Sequence, residues 1–220
     1  LVGSEMCIRD RIRAQAVEFL ADAPMRLKSG LISPVYVDNR KLFSHPEAWR
    51  DIVETMASRV EEYDLEFDIV AGVEAAGSMH AAALAYRLGL PAIMVRQKAK
   101  TYGNHSRIEG GDVKGMRVLL LEDHISTGLS CLDAIRALRG EGAQVTQVMS
   151  ITNYAIPETQ RLFKQEGIDT YDVIAFEKVV RKAKEMGVID DEHEKLVLEW
   201  LQTPWTWAAM HGVVASAIEN

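Results

Sequence analysis

Two adjacent carboxylates, Glu122 and Asp123, combine reactive side chains with a setting suited to ligand chemistry. They follow a short apolar run, residues 118–121, which has the length of a buried parallel strand. A small turn of hydroxyl residues and glycine, residues 126–128, comes shortly afterwards. The two acids are therefore predicted to lie where a core strand ends and a turn begins.

A helical pattern begins directly after this turn, with Leu132, Ile135 and Leu138 on one face. In an open α/β sheet, ligands bind at the carboxyl ends of the strands, and the N-terminus of the following helix favours anions. The stretch therefore predicts a phosphate on residues 126–130, and the two acids must serve another purpose.

Three tasks are open to the carboxylate pair: holding Mg²⁺, acid–base catalysis, or binding sugar hydroxyls. Acid–base work requires environments that separate the two pKa values, which a sequence does not reveal. Glycoside hydrolysis requires carboxylates that face each other across a bond, whereas neighbours on a strand point to opposite faces. Binding the vicinal hydroxyls of a ribose fits the spacing well, so the pattern reads as a ribose 5-phosphate site.

Composition limits the class of protein. The chain has 220 residues, 48% of them hydrophobic, which is enough for one domain with a buried core. A net charge of −7 argues against nucleic acid as the main partner. The two cysteines, Cys7 and Cys131, form no disulfide framework and suit a reducing, cytoplasmic setting. No apolar run reaches the roughly 18 residues of a membrane span.

The first eleven residues resemble no secretory signal, because they carry four charges and no apolar centre. They resemble a translated adaptor fragment, so residues 1–11 are predicted to be a non-native leader and are left out of the fold prediction. Cys7 is discounted with them.

The remaining chain alternates strand and helix, which predicts a doubly wound, mostly parallel α/β sheet. The predicted strands span residues 35–37, 67–73, 91–95, 118–121, 145–151 and 171–175. The predicted helices span residues 14–20, 79–88, 157–165, 176–186 and 190–202, together with one that Pro46 opens and one that follows the 126–128 turn. Three tryptophans near the end are expected to pack a helix edge or a subunit contact: Trp200, Trp205 and Trp207.

A long segment of low apolar periodicity, residues 96–116, connects two of these strands. Such a length without regular structure is typical of a lid or a binding loop. Five basic residues against two acids leave it with a charge of +3 in a chain of −7. This pattern favours a cationic flap that closes over an anionic substrate, although a solvated hairpin with incidental lysines is the alternative.

Four segments together resemble the type I phosphoribosyltransferases, and specifically the orotate phosphoribosyltransferases. The run R-V-L-L-L-E-D-H-I-S-T-G-L-S resembles their 5-phosphoribosyl diphosphate (PRPP) signature. L-K-S-G-L-I-S-P-V-Y-V-D-N-R resembles their amino-terminal motif, V-R-Q-K-A-K-T-Y-G-N-H-S-R-I-E-G their catalytic loop, and G-V-E-A-A-G-S their pyrophosphate loop. The resemblance covers roughly residues 12–205.

The resemblance implies the transfer of ribose 5-phosphate from PRPP to orotate, giving orotidine 5′-phosphate and diphosphate in pyrimidine biosynthesis. It also implies Mg²⁺ held by PRPP rather than directly by the protein, and a homodimer in which the loop completes the neighbouring site. The implied parts are an N-terminal hood (12–45), a core (46–176) with a mobile loop (97–115), and C-terminal helices with a tail (177–220).

The resemblance also implies roles for individual residues. The implied catalytic residues are Lys100, Glu122 and Asp123. The implied PRPP and orotate contacts are Lys28, Arg96, Lys98, Lys100, Tyr102, Glu122, Asp123, His124, Ile125, Ser126, Thr127, Gly128, Leu129 and Ser130.

Four positions depart from the family pattern. Leu129 stands where many members have Gly, and would be strained if that position required a positive φ. Gln97 replaces a common Lys, and Tyr102 a common His. The sequence T-N-Y-A, residues 152–155, replaces an Asp-Arg pair that some members use near orotate.

Two alternatives to an orotate enzyme remain open. One is a phosphoribosyltransferase for another base, such as a purine, although the segments around Lys28 and 96–103 argue against it. The other is a non-catalytic PRPP-binding regulator, although a complete lid containing Lys100 argues against that.

Overall fold

The computed structural model describes residues 2–99 and 106–213. Its amino-terminal elements are helix α1 (Val2–Arg13), strands β1 (Val17–Phe19), β2 (Met25–Arg26), β3 (Ile32–Ser33) and β4 (Val35–Val37), and a 3₁₀ helix (Asn39–Ser44). There follow α2 (Pro46–Glu62), β5 (Ile69–Val73), α3 (Ala76–Leu88), β6 (Ala92–Val95), β7 (Ile108–Glu109), β8 (Arg117–Ile125), α4 (Leu129–Gly140) and β9 (Gln144–Asn153). The last elements are α5 (Pro157–Gln165), β10 (Asp169–Ala175), α6 (Phe176–Glu185), α7 (Asp191–Gln202) and α8 (Trp207–Met210).

Six strands form the central sheet in the order β10-β9-β8-β5-β6-β7. All neighbouring pairs are parallel except β6 and β7. Helices α4 and α5 cover one face, and α1, α2, α3, α6 and α7 contribute to the apolar cluster on the other. Helices therefore cover both faces of the sheet, as is typical of parallel strands. The predicted doubly wound, mostly parallel α/β fold is confirmed.

Strand β8 is longer than predicted, because it continues through both acids to Ile125. Beyond the apolar run, Glu122 stands opposite Ser150, and His124 opposite Thr152, in the parallel pairing with β9. Backbone pairing does not depend on side-chain polarity, so the strand extends past the point where its apolar pattern stops. The acids consequently lie on the end of the strand and not after it.

The amino-terminal segment was predicted incorrectly in two respects. Residues 17–19, placed in a helix spanning 14–20, form strand β1, which pairs antiparallel with β4. The helix precedes it as α1, and both Cys7 and Ile8 on that helix are buried in the main apolar cluster. Leaving residues 1–11 out of the fold prediction therefore missed a helix that packs in the core. Their non-native origin stays a prediction.

Arg11 on α1 is fully buried, and within residues 2–99 and 106–213 its guanidinium donates hydrogen bonds to neutral oxygens only. Its Nη2 donates to Asn39 Oδ1 and to Thr152 Oγ1, the latter at 3.2 Å. Its Nε and Nη1 have no hydrogen-bond partner among the described residues. Burial lowers the pKa of this guanidinium to about 10, which indicates a costly location for a charge.

Arg11→Met is expected to stabilise the protein. Removing an incompletely paired buried charge should outweigh the loss of one donor to Asn39, for a gain of roughly 1–2 kcal/mol in the free energy of unfolding. Chemical denaturation measures this, with Arg13→Met as the control because Arg13 lies on the same helix and is exposed. A clear loss of stability in Arg11→Met alone would show that the guanidinium is a favourable part of the core.

The carboxyl-terminal helices fasten the hood, residues 12–45, to the sheet. Trp200 on α7 is fully buried, and its Nε1 donates to the carbonyl of Ile32 at 2.8 Å. Trp207 is also fully buried, whereas Trp205 is 55% exposed. Among residues 2–99 and 106–213, no helix has the length and apolarity to cross a membrane.

Candidate active site

The turn between β8 and α4 forms a small cradle. A cavity of about 90 Å³ is lined by Glu122 and by residues 124–131. Leu132 is the first residue whose N–H bonds back to the turn, donating to the carbonyl of Gly128. The first N–H groups of a helix have no carbonyl one turn before them, and the helix dipole adds positive potential there. The cradle is therefore suited to a phosphate, as the sequence predicted.

Gly128, and not Leu129, is the residue with a positive φ in this turn. Gly128 has φ of 74°, and a Cβ on it would lie 2.9 Å from Thr159 Cγ2 on α5. Leu129 is the first residue of α4, takes a helical conformation, and is 61% exposed. The strain anticipated at Leu129 is absent, because the position that needs a positive φ is occupied by glycine.

The carboxyls of Glu122 and Asp123 interact with each other. Glu122 Oε1 accepts a hydrogen bond from the Asp123 N–H at 3.1 Å. Burial, with the Asp123 charge as a second cause, raises the pKa of Glu122 well above its usual value. Strand β8 stays in regular parallel pairing with β9 on either side of this point, from Glu122 opposite Ser150 to His124 opposite Thr152. Burial also raises the pKa of Asp123.

A buried network supports Asp123 from behind. Asn39, at the start of the 3₁₀ helix, is fully buried, and its Nδ2 donates to the Asp123 carbonyl at 2.6 Å. Arg11 Nη2 donates to Oδ1 of the same Asn39 side chain. The sequence analysis missed Asn39, and the only available signal was an amide in a family motif directly after a strand.

A second, larger cavity lies between the hood and the cradle. It measures about 370 Å³, and the hood contributes Lys28 and Tyr36 to its wall. The sheet side contributes His124, Ser126 and Tyr154. Sequence analysis selected Lys28, His124 and Ser126 but missed both tyrosines. Aromatic residues in apolar runs are not distinguishable from core residues before the fold is known.

Several polar atoms around this cavity have no partner among the described residues. They are Ser29 Oγ, Ser126 Oγ and His124 Nε2. Native proteins satisfy most buried polar groups, so three such atoms beside one cavity indicate that a polar ligand completes their hydrogen bonds.

The described residues at the two ends of the 96–116 segment include an antiparallel strand pair. Strand β7 pairs with β6, so part of the span predicted to lack structure is regular. Arg96 donates to Glu109 Oε1 at 3.0 Å. Gln97 donates two hydrogen bonds to Glu74, in the turn between β5 and α3. Its backbone N–H donates to Glu74 Oε2 and its Nε2 donates to the Glu74 carbonyl, at 3.0 Å each. The departure at Gln97 therefore ties the loop to the turn that resembles a pyrophosphate loop.

Not every predicted site residue converges on the cavities. Lys98 is exposed. The side chain of Ile125 is buried in the cluster beneath α4, so only its backbone faces the cradle region. His124 lies on β8 and not in a loop. Lys100 and Tyr102 lie outside the described residues, as does the tip of the loop.

The described residues contain no group of three or more His, Cys, Asp or Glu side chains arranged to hold a metal. Glu122 and Asp123 are nevertheless oxygen ligands of the kind that Mg²⁺ prefers.

Comparison with known proteins agrees with this architecture. The phosphoribosyl transferase domain family matches residues 38–186, which include the cradle, the acid pair and the loop. Because this family matches more than half of the chain, the protein is a member of the phosphoribosyl transferase domain family.

Individual relatives show which phosphoribosyltransferases this chain resembles most in sequence and structure. Orotate phosphoribosyltransferase of Coxiella burnetii is 41% identical over 196 residues, covering 89% of this chain and 94% of the relative. That of Sinorhizobium medicae is 38% identical, covering 100% and 96%. The crystal structure of orotate phosphoribosyltransferase from Aeropyrum pernix superposes with a TM-score of 0.71 at 26% identity, covering 84% of this chain and 99% of that chain. The chain therefore belongs to the orotate phosphoribosyltransferase family.

Proposed function

We propose that this protein transfers ribose 5-phosphate from PRPP to orotate, releasing diphosphate and forming orotidine 5′-phosphate for pyrimidine biosynthesis. The observation that carries the proposal is the joining of three features around the end of β8. They are a phosphate-sized cradle on residues 124–131, a carboxylate pair beside it, and a cavity of about 370 Å³ under the hood.

Each feature has a task in the proposed reaction. The cradle N–H groups hold the 5-phosphate of PRPP and so fix the position of the ribose. Glu122 and Asp123 accept hydrogen bonds from the ribose hydroxyls. As the bond from C1 of the ribose to the diphosphate breaks, the negative charge of the pair favours the cationic sugar that develops. The base nitrogen then forms the new bond to C1 from the hood cavity, where Lys28 lies.

Magnesium dependence is part of the proposal. Mg²⁺ commonly binds to one or two carboxylates together with substrate phosphates, and Glu122 with Asp123 fits that donor set. The ion would be held mainly by the diphosphate of PRPP, beside these two carboxylates, and would neutralise charge on the leaving group.

The loop cations belong to the same proposal. Arg96, Lys98, Lys100 and Tyr102 would meet the diphosphate when the loop closes. The ion pair between Arg96 and Glu109 would then have to exchange for the ligand. The net positive charge of the segment supports this role, because a departing diphosphate is strongly anionic.

Lys100→Ala is expected to lower kcat by roughly 100-fold, the size of effect seen when one group that stabilises transition-state charge is removed. Dissociation constants for PRPP should change far less, because the lysine acts on the leaving group. Steady-state kinetics and calorimetric binding measure the two effects. Lys114→Ala, an exposed lysine of the same segment, is the control. Equal losses in kcat and in affinity would contradict a role in the transition state.

One assay tests the proposed function directly. The full chain is incubated with PRPP, Mg²⁺ and either orotate or a purine base, and the loss of orotate ultraviolet absorbance is followed. Turnover of orotate supports the proposal. Turnover of the purine alone would make the protein a transferase for another base, and PRPP binding without turnover would make it a regulator.

A homodimer and a cytoplasmic location are further parts of the proposal. An exposed apolar face on α2 and α3 supports self-association: Tyr86 is 91% exposed beside a groove that includes Trp49 and Val53. Sedimentation of the full chain measures the oligomeric state. In such a dimer, the catalytic loop of one subunit would complete the site of its neighbour.

A further inference from the structure

Glu74, in the turn after β5, is hydrogen-bonded at three points to the end of β6 and the residues that follow it. The Glu74 N–H donates to the carbonyl of Val95, the last residue of β6, at 3.0 Å. The Gln97 N–H donates to Glu74 Oε2, and Gln97 Nε2 donates to the Glu74 carbonyl, at 3.0 Å each. Both backbone groups and the carboxylate of Glu74 therefore tie the turn to residues 95–97.

Arg96 lies inside this tie. Its N–H donates to the Arg107 carbonyl at 2.8 Å, and Arg107 Nε donates to the Arg96 carbonyl at 2.8 Å. The backbone of Arg96 is thus fixed on one side by Arg107 and, through its neighbours Val95 and Gln97, on the other side by Glu74. The Arg96 side chain is 31% exposed, so a ligand can reach its guanidinium.

The turn that holds Gln97 lies beside the acid pair. Strands β5 and β8 are parallel neighbours, with Gly72 opposite Leu121, so both end at the same edge of the sheet. A Cβ on Gly77, in the first turn of α3, would lie 3.3 Å from Glu122 Oε1. The 5-phosphate and the diphosphate of PRPP extend from opposite ends of the ribose. With the 5-phosphate on the cradle and the ribose on the acids, the diphosphate is directed toward the turn between β5 and α3.

The chemistry of Gln97 differs from that of the lysine it replaces. A lysine at this position would carry a positive charge, whereas a glutamine amide is neutral and cannot neutralise a diphosphate. Its side-chain amide and its backbone N–H both donate to Glu74. The nearest consequence of these two bonds is the placement of the adjacent cation, Arg96.

We propose that Gln97 is a positioning residue that places Arg96 against the diphosphate of PRPP by fixing the end of β6 to Glu74. This inference rests on the proposed transfer from PRPP and adds a residue that governs the affinity for its diphosphate end. Glu74 is the partner through which Gln97 acts.

Gln97→Met tests the proposal, because methionine has similar length and no donor. The dissociation constant for PRPP, measured by calorimetry without a base, should rise roughly three- to tenfold, the value of one hydrogen bond. KM for PRPP should rise by the same factor and KM for orotate should stay unchanged. The melting temperature should also stay unchanged, because Gln97 is exposed.

Two variants of Glu74 separate the tie from simple charge repulsion. Glu74→Ala removes the acceptor of the Gln97 N–H and should weaken PRPP binding by a similar factor. Glu74→Gln removes the same charge but keeps a side-chain oxygen as the acceptor, so it should recover most of the affinity. Equal gains in PRPP affinity in both variants would show that the carboxylate only repels the ligand, and would overturn the inference.

The double variant Gln97→Met with Glu74→Ala distinguishes positioning from direct contact. Residues that act as one unit have non-additive effects, so the combined rise in the PRPP dissociation constant should be smaller than the product of the two single rises. A combined rise equal to that product would mean that Gln97 contacts the diphosphate by itself, which contradicts the proposal.

Gln202→Met is the matched control. Gln202 is exposed at the end of α7 and is not among the residues that line the cradle or the hood cavity, so its PRPP affinity should equal that of the unmodified chain.

No rise in the PRPP dissociation constant for Gln97→Met, or an equal rise in KM for orotate, would also overturn the inference. Orotate turnover by the unmodified chain tests the proposed function. PRPP binding is measured without turnover, so the two can fail separately.

Discussion

Glu122→Gln is expected to lower kcat/KM by roughly 10- to 100-fold, the range for losing a hydrogen bond to a charged group. The same substitution should stabilise the ligand-free protein at alkaline pH. Glu122 is only 7% exposed, and burial raises the pKa of its carboxyl. Glutamine has nearly the same shape and has no charge to bury.

The direction of the pH dependence follows from that raised pKa. The folded protein keeps a proton on Glu122 that the unfolded chain releases near its usual value of 4.5. The contribution of this group to stability is therefore complete below that value and is lost as the pH rises through the raised pKa. Glu122→Gln removes this dependence, so the gain in melting temperature over the unmodified chain should be larger at pH 8 than at pH 5.

Calorimetric melting in phosphate-free buffer at these two pH values measures the difference. Glu141→Gln, an exposed glutamate that follows α4, serves as the control and should show no such dependence. A melting difference that is the same at both pH values would mean that Glu122 carries its charge in the folded protein without a cost.

Gly72→Ala is expected to destabilise the protein by about 3 kcal/mol or more, as severe overpacking does. A Cβ on Gly72 would lie 2.4 Å from Ser78 Cα and 2.6 Å from the Gly77 carbonyl oxygen. These are backbone atoms, which cannot rotate away, so the first turn of α3 would have to separate from β5. The expected fall in melting temperature is roughly 6–12 °C for a chain of this size.

Activity should also fall in Gly72→Ala, because the displaced turn supports the acid pair. A Cβ on the adjacent Gly77 would lie 2.7 Å from the Leu121 carbonyl oxygen and 3.3 Å from Glu122 Oε1, which shows how closely α3 approaches β8. Moving α3 therefore moves the wall behind Glu122.

Gly140→Ala is the matched control for Gly72→Ala. No atom lies within 4 Å of a Cβ built at Gly140, so its stability should remain unchanged or rise slightly through a stiffer unfolded chain. If the two variants had the same melting temperature, the close contact between β5 and α3 would not constrain the fold.

Features governed by neighbouring residues could be predicted from the sequence. The order of strands and helices follows from apolar periodicity and turn residues. Helix α5, Pro157–Gln165, has the predicted bounds because Pro157 opens it and the apolar pattern is local. The phosphate cradle also follows from a single stretch, since the strand, the glycine turn and the helix N-terminus are contiguous.

Features that depend on distant partners could not be predicted. The packing of α1 against the sheet is one example: Arg11 meets Asn39 and Thr152, which lie 28 and 141 residues away. Strand β1 is another, because its three residues are held by pairing with β4. The apolar periodicity of a segment does not indicate which distant segment it pairs with.

The carboxylate pair shows where local sequence stops being informative. The adjacency of Glu122 and Asp123 was enough to predict a sugar site at the end of a strand. The raised pKa of Glu122 depends on its burial, and the hydrogen bond that Asn39 donates to the Asp123 carbonyl joins residues 84 positions apart. Residue types and spacing thus predicted which groups could bind a sugar phosphate. Protonation states and hydrogen-bonding directions were decided by the tertiary structure, because both depend on the desolvation and the charges that distant segments bring to the site.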